Sequence, residues 1–351
     1  MTSEKKISQA IKLIAAKEDM SFDLANSTMD EIMRGDVTPA QFGSFIMGLK
    51  MKGETPTEIA GLATSMREKS LKIDLNEPLL DTCGTGGDGL KTFNISTAVA
   101  FVVAGSGVKV AKHGNRAISG SSGSADALEE MGVKINLSPY SVKKCIETIG
   151  IGFIFAQSFH PAMKFASPLR REVGIPTVFN ILGPLTNPAG ASNQLIGISN
   201  YEAAEKVAEA LKILGTENSL VVNGHNNLDE ISVEGRTTIW EVNKDKVKRR
   251  KTRISDFGLP ESGINNLIIN SIKESADTIK QIFSGEGSDP LDNSPIASRR
   301  NAVLINTAAS LVAAGKTASF LDATEMAKIS IDSGAAQSKL LELIAMTNKM
   351  D

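Results

Sequence analysis

The chain has 351 residues, of which 41% are hydrophobic, 22% charged and only 5% aromatic, with a formal net charge of -2. That length supports a large core and two domains, and the balanced charge with few aromatic rings argues against a surface that tracks a nucleic-acid backbone and stacks bases. The longest apolar run, Ala98 to Ala104, is far short of a membrane span, Met1 to Lys6 begins no signal peptide, and Cys83 and Cys145 form neither a disulfide framework nor a metal motif, so a cytoplasmic enzyme with reduced thiols and no membrane or nucleic-acid partner is expected.

Up to about residue 72 the pattern is helical only. Thr38-Pro39-Ala40-Gln41 and Thr55-Pro56-Thr57-Glu58 are capping boxes with proline at the first helical position, and Gly35 and Gly53 stand where the preceding helices should stop. Behind them Phe42, Phe45, Ile46 and Leu49, then Ile59, Leu62, Ala63 and Met66, recur at helical spacing. Asn76-Glu77-Pro78 opens an alternation of strands and helices. A strand from Leu79 to Cys83 precedes a helix from Ala98 to Ala104, and a strand from Val108 to Ala111 precedes a helix from Ala125 to Met131. A strand from Asn193 to Ile198, a helix from Tyr201 to Leu214, a strand from Ser219 to Val222 and a hairpin from about Ile231 to Val242 follow. Helical stretches near 274 to 284, 297 to 314 and 321 to 347, with a break at Gly334, close the chain.

Gly84-Thr85-Gly86-Gly87-Asp88 lies directly behind the first strand, with Asn94-Ile95-Ser96-Thr97 at the start of the next helix. Glycines let the backbone N–H groups curl toward one point, and the helix adds its positive end. Asp88 inside such a cradle would repel phosphate unless a cation intervened, so a phosphorylated substrate with a divalent metal is expected. Gly84-x-Gly86-x-x-Gly89 satisfies the dinucleotide fingerprint, but the next strand ends in Lys112-His113 where a ribose would need an acid. Leu90 between Gly89 and Lys91 breaks the P-loop spacing. A turn that merely reverses the chain is the competing reading. Against it stands a second strand-loop-helix unit running from Lys112 to Ser124, which implies a ligand with two phosphate groups.

The motifs Asp81 to Asp88, Asn94 to Thr97, Lys112-His113-Gly114-Asn115-Arg116 with Ser124-Ala125-Asp126, His160-Pro161-Ala162-Met163, Asn180 to Pro188, and Leu228-Asp229-Glu230-Ile231-Ser232 stand in one order along the chain. Together they resemble the anthranilate phosphoribosyltransferase family. Departures are Ala156-Gln157-Ser158-Phe159 before His160, and Asn223, Asn226 and Asn227 around His225. The resemblance implies an α/β fold: a small all-helical N-terminal domain over residues 1–73, to which about 166–185 return, and a larger α/β domain over 74–351 with a mainly parallel central sheet. It also implies a cleft between the domains and a homodimer formed by the helical ones. The implied reaction moves phosphoribose from 5-phosphoribosyl 1-diphosphate to the amino group of anthranilate in tryptophan biosynthesis, with Mg2+, two ions per active site.

The same resemblance distributes roles. The amides of Gly84, Gly87 and Asp88, with Thr92, Asn94, Ile95, Ser96 and Thr97, would hold the diphosphate and ribose. Lys112, His113, Gly114, Asn115, Arg116 and Ala117, then Ile118, Ser119, Gly120 and Ser124, would take the remaining phosphate and ribose contacts. Asp229 and Glu230 would bind the metal with the Ser96 hydroxyl, although an Asp-Glu pair alone reads equally as a solvated turn. Arg170 would receive the anthranilate carboxylate, with Gly84 and Asn115 beside it; pairing with Glu172 is the bland alternative. Gly183-Pro184 would wall the substrate channel or form an ordinary hinge, and His113 would orient substrate there or serve only through its backbone. Cys83 reads as a strand-end filler. A pyrimidine nucleoside phosphorylase is the alternative enzyme, disfavoured by Gly114-Asn115-Arg116 after Lys112-His113 and by the acidic pair. A noncatalytic nucleic-acid binder would use Lys244, Lys246, Lys248, Arg249, Arg250, Lys251 and Arg253, a cluster that reads better as the solvated edge of the hairpin.

Overall fold

The computed structural model describes residues 4–117, 122–289 and 292–350. Helices α1 (Lys6–Ala15), α2 (Phe22–Arg34), α3 (Pro39–Lys52) and α4 (Pro56–Glu68) make the small helical domain. Both capping boxes form: the Gln41 N–H donates to Thr38 Oγ1 at 3.2 Å and the Glu58 N–H to Thr55 Oγ1 at 3.2 Å, each returned by the N3 side chain. Glu58 is fully buried, yet its carboxylate accepts from the Met20 and Thr55 amides and from Lys52 Nζ at 3.1 Å, which replaces its lost hydration.

Then follow β1 (Leu80–Gly84), α5 (Ile95–Gly105), β2 (Val110–Gly114), α6 (Ser124–Glu130), α7 (Pro139–Ile149), β3 (Ile151–Phe155), α8 (Ala156–Phe159), α9 (Met163–Val173), α10 (Phe179–Leu182), β4 (Asn193–Gly197), α11 (Tyr201–Ile213) and β5 (Asn218–Asn223). The hairpin β6 (Thr237–Val242) and β7 (Val247–Thr252) precedes α12 (Ile272–Phe283), α13 (Pro295–Ala313), α14 (Phe320–Asp332) and α15 (Ala335–Thr347). The sheet order is β3-β2-β1-β4-β5-β6-β7, parallel from β3 to β5 and antiparallel in β6 and β7. Strand order therefore reverses at β1, between β2 and β4, and sheets of this kind bind ligands where it does.

Alternate strand residues feed opposite faces. Leu195, Leu220 and Val222 join the core built by α5 and α13, whereas Ile196, Ile198 and Val221 join the core of α11 and the helical domain. Apart from the strands and α11, which line both cores or the shared one, the chain passes between the helical layer (α1–α4, α9 and α10) and the sheet domain three times: between Met66 and Ile73, between Phe159 and Ala166, and between Leu185 and Ala189. The passages lie side by side, with the Leu71 N–H donating to Phe159 O at 2.9 Å and the Ile73 N–H to Pro188 O at 3.2 Å. Phe42 packs on Phe179 at a ring-centroid distance of 5.8 Å and pins α10 to the helical domain; burying each ring contributes about 1.5–3 kcal/mol.

Two details differ from expectation. The hairpin pairs Thr237–Val242 with Val247–Thr252 and does not begin at Ile231, because Ile231 and Val233 are drawn into the core, where the Ile231 N–H donates to Asn306 Oδ1 on α13 at 2.9 Å. Strand β3 is additional. Its Gly152 weakens the strand pattern, but a Cβ there would meet Ile146 at 2.7 Å and Val142 at 3.0 Å, so glycine is what lets α7 lie on the strand.

Candidate active site

The first loop leaves β1 with Gly86, Gly87 and Gly89 all at left-handed φ of +65°, +77° and +75°. Nothing lies within 4 Å of where their Cβ atoms would be, so backbone conformation alone demands glycine and the concave side of the loop is open. The Asp88 carboxylate accepts from the Leu90 N–H at 3.0 Å through Oδ1, while its buried Oδ2 has no hydrogen-bond partner. Thr92 bridges to Ile268, and Phe93 N–H donates to Leu267 O, which ties the end of the loop to the segment before α12.

The acidic pair arrives from the end of β5. Asn226 and Asn227 adopt left-handed φ of 54° and 61°, a conformation that asparagine tolerates better than most residues, and turn the chain back across the sheet. Asp229 then lies over Gly197 so closely that a Cβ at 197 would stand 1.5 Å from its carbonyl oxygen. Its carboxylate accepts from the Gly86 N–H at 2.7 Å. Burial, then the neighbouring Asp88 charge, pushes Asp229 up to about 7. Burial and Asp229 raise Glu230 well above the usual carboxylate range, although it accepts from the Ser96 amide and faces Lys112. The competing reading of this pair as a solvated turn does not hold, because both acids are buried, 9% and 8% exposed.

Three acidic side chains with one unpartnered oxygen call for a cation. Mg2+ takes few protein oxygens and completes its shell with phosphate and water. Asp229, Glu230 and the half-buried Ser96 fit such a site.

Lys112, on β2, donates to Thr82 O at 2.6 Å and to Ser96 Oγ at 3.2 Å, and Thr82 Oγ1 donates to Ser96 O at 2.9 Å. Burial lowers the Lys112 pKa, while Asp81 and Glu230 oppose that shift. The first loop, the acidic pair and β2 therefore meet at the N-terminus of α5. Ile95 and Thr97 are buried there, with the Ile95 N–H turned to Phe93 O and the Thr97 N–H to Asn94 O.

The second loop leaves β2 tightly folded: a Cβ on Gly114 would meet Ser124 Oγ at 2.1 Å, and Ser124 Oγ donates to Asn115 O. Asn115 Oδ1 accepts from the Arg116 N–H at 2.8 Å and from Gln157 Nε2 at 3.3 Å, so its amide nitrogen remains a donor. Arg116 points onto α6, paired with Asp126 and Glu129, and its guanidinium lies 5.6 Å from the Phe155 ring centre. Ala117 is exposed, its N–H donating to Asp126 at 3.0 Å. Ile118, Ser119 and Gly120 lie outside the described residues.

Behind the second loop, His113 and His160 face each other at a ring-centroid distance of 5.1 Å, bonded to the Gly183 and Thr186 backbones respectively. Asp81 accepts from the His113 N–H at 3.1 Å and from Asn187 Nδ2 at 2.8 Å; burial pushes it up to about 6 against these bonds and the Lys112 charge. Pro184 O accepts from Gln194 Nε2 at 2.8 Å, and Leu185 O from Arg67 Nε on α4 at 2.5 Å. Gly183-Pro184 is therefore a pinned 3-10 turn. Arg170 lies on α9, which packs against α2 and α3. Its guanidinium is 4.9 Å from the Phe179 ring centre, with no carboxylate in ion-pair reach among the described residues. The Glu172 pairing does not form. Cys83 is a half-buried thiol pushed well up by burial and Asp81, the opposite of an activated nucleophile.

A helical domain facing a reversed parallel sheet, with two glycine-rich loops and a buried acidic pair at its strand ends, defines a two-domain transferase of phosphorylated sugars. Residues 8–70 match the helical bundle domain of the glycosyl transferase family and residues 76–337 its α/β domain. The anthranilate phosphoribosyltransferase of Roseiflexus sp. (strain RS-1) is 46% identical over 340 residues, 97% of each chain. The crystal structure of that enzyme from Thermus thermophilus superposes with a TM-score of 0.90 at 37% identity, over 98% of this chain and all of its own. The enzyme from Saccharomyces cerevisiae in complex with PRPP and Mg gives 0.89 at 29% identity over 99% of both chains, and it has also been solved with 4-fluoroanthranilate. The chain belongs to the anthranilate phosphoribosyltransferase family.

Proposed function

We infer that the chain transfers the phosphoribosyl group from 5-phosphoribosyl 1-diphosphate to the amino group of anthranilate, releasing diphosphate, as a step of tryptophan biosynthesis. The observation that carries this is the meeting of the first glycine-rich loop, Lys112 of β2 and a buried acidic pair at one helix N-terminus. The amides of Gly84, Gly87 and Asp88 and the positive end of α5 receive the diphosphate; Lys112 and the second loop, from Asn115 to Ser124, receive the rest of the donor. Asp229, Glu230 and Ser96 would hold Mg2+, which when bound would supply positive charge to the leaving diphosphate. An aromatic amine is uncharged near neutral pH and presents its lone pair without a strong base, so the protein's task at that end is alignment. Arg170 and the Asn115 amide hold the acceptor, with the pinned Gly183-Pro184 turn as a wall.

We take the domain boundary near residue 73 and two Mg2+ per site as part of this reading. A cytoplasmic homodimer through the helical domain also belongs to it, supported by Met51 at 84% exposure and by exposed Phe165 and Ile175.

Loss of anthranilate fluorescence on adding donor and Mg2+ tests the reaction, with thymidine and inorganic phosphate as the control for phosphorolysis. Glu230→Gln should lower turnover about a hundredfold and raise the Mg2+ needed for half-maximal rate. Turnover of thymidine in place of anthranilate overturns the reading, and an unchanged metal requirement removes Glu230 from the site.

A further inference from the structure

Asn94 stands at the N-cap of α5, where an asparagine side chain ordinarily turns back to accept from the first free N–H groups of the helix. Here it makes no capping bond. Its Oδ1 instead accepts from Ser275 Oγ at 2.7 Å and from Ser122 Oγ at 2.6 Å, which fills both lone pairs, and Nδ2 donates to Ser122 O at 3.1 Å. The Asn94 main-chain N–H donates to the same Ser275 hydroxyl at 3.0 Å. Ser275 thus grips one residue by backbone and side chain together, and it is fully buried.

We propose that Ser275, on α12 and 181 residues away in sequence, is a positioning residue of the donor site, a role that rests on the phosphoribosyl-transfer reading above. By holding the Asn94 side-chain carbonyl away from its own helix, Ser275 fixes which way the Asn94 amide faces, while the first-turn N–H groups of α5 are met by Phe93 O, Glu230 and Asn94 O. The second Nδ2 proton of Asn94 stays available to a donor oxygen. Through Ser122 the same contact locks the second loop to the first, and α12 also packs on α6, the helix that the second loop enters. Without the Ser275 hydroxyl, Asn94 loses one of the two bonds that fix its side-chain carbonyl and the partner of its main-chain N–H, so its Nδ2 is no longer held in one direction.

The test is steady-state kinetics of Ser275→Ala and Ser275→Thr with calorimetric titration of 5-phosphoribosyl 1-diphosphate in Mg2+. Ser275→Ala should weaken donor binding and raise its KM about tenfold, the scale of a lost buried hydrogen bond, while KM for anthranilate stays within about twofold; Ser275→Thr, which keeps the hydroxyl, should recover most of the loss. A merely structural serine would lower thermal stability without separating the two KM values, and that outcome, or wild-type donor affinity in Ser275→Ala, overturns the proposal. Should Ser275→Ala not fold, Ser122→Ala removes the other hydroxyl on Asn94 Oδ1 and should shift donor KM in the same direction; no shift is equally fatal. A wild-type protein that binds the donor yet leaves anthranilate unconsumed refutes the reaction instead, and the calorimetric comparison still decides Ser275.

Discussion

A guanidinium lying over Phe179 with its pKa drawn down by burial, and with no carboxylate in ion-pair reach among the described residues, has the chemistry that the proposed acceptor site asks of Arg170. Arg170→Ala should therefore raise KM for anthranilate by about tenfold or more, with KM for the donor unchanged, in initial-rate measurements that vary each substrate in turn. Equal loss for both substrates would remove Arg170 from the acceptor site. Arg170, Lys112 and the acidic pair were singled out in the sequence through the family motifs around them, since an arginine or an Asp-Glu pair taken alone reads as solvated surface. Gly197 and Ser275 were not. What makes Gly197 indispensable is the carbonyl of Asp229, which would stand 1.5 Å from any Cβ there, and Ser275 matters through a residue at the far side of the chain. Neither cause leaves a local trace.

Elements show the same division. Capping boxes, glycine stops and strand-loop-helix alternation are written within a few residues, and they located most helices and four of the parallel strands. Strand β3 was hidden by Gly152, and the hairpin start was misplaced because buried Ile231 and Val233 imitate a strand while serving a loop. The turn at 183–187 depends on two neutral imidazoles. Burial and His160 hold His113 down near 3; burial and Lys72 hold His160 near 4. The folded chain then binds fewer protons than the unfolded one below the ordinary imidazole value of 6.5, so the stability from these rings is complete above that pH and is lost as pH falls toward 4 and 3. Asp81, raised to about 6, acts in the opposite direction, so the comparison must be made between variants. Urea unfolding should show His160→Asn losing less stability than the parent between pH 7 and 4.5, by on the order of 2 kcal/mol; parallel pH curves would rule out this role.

Across the whole molecule, no helix among the described residues is long and apolar enough to cross a membrane. The basic run anticipated as a solvated edge does form the free edge strand β7, where Lys248, Arg249 and Lys251 are exposed and discourage edge-to-edge pairing. On the opposite lobe, Met51 presents an apolar side chain to solvent at the end of α3. If the chain pairs through this lobe as proposed, light scattering at micromolar concentration should find a dimer for the parent and a monomer for Met51→Glu, with the melting temperature of the monomer's own core altered by less than about 3 °C; an unchanged mass would place the association elsewhere or deny it.

The three passages between the helical layer and the sheet domain, stitched to one another at Leu71–Phe159 and Ile73–Pro188, have a mechanical corollary. A load pulling the two lobes apart is shared by three adjoining lengths of backbone and by the apolar cluster in which the helical layer joins α11 and the strands. Clipping the backbone at any one of the three passages with a protease should leave both lobes attached.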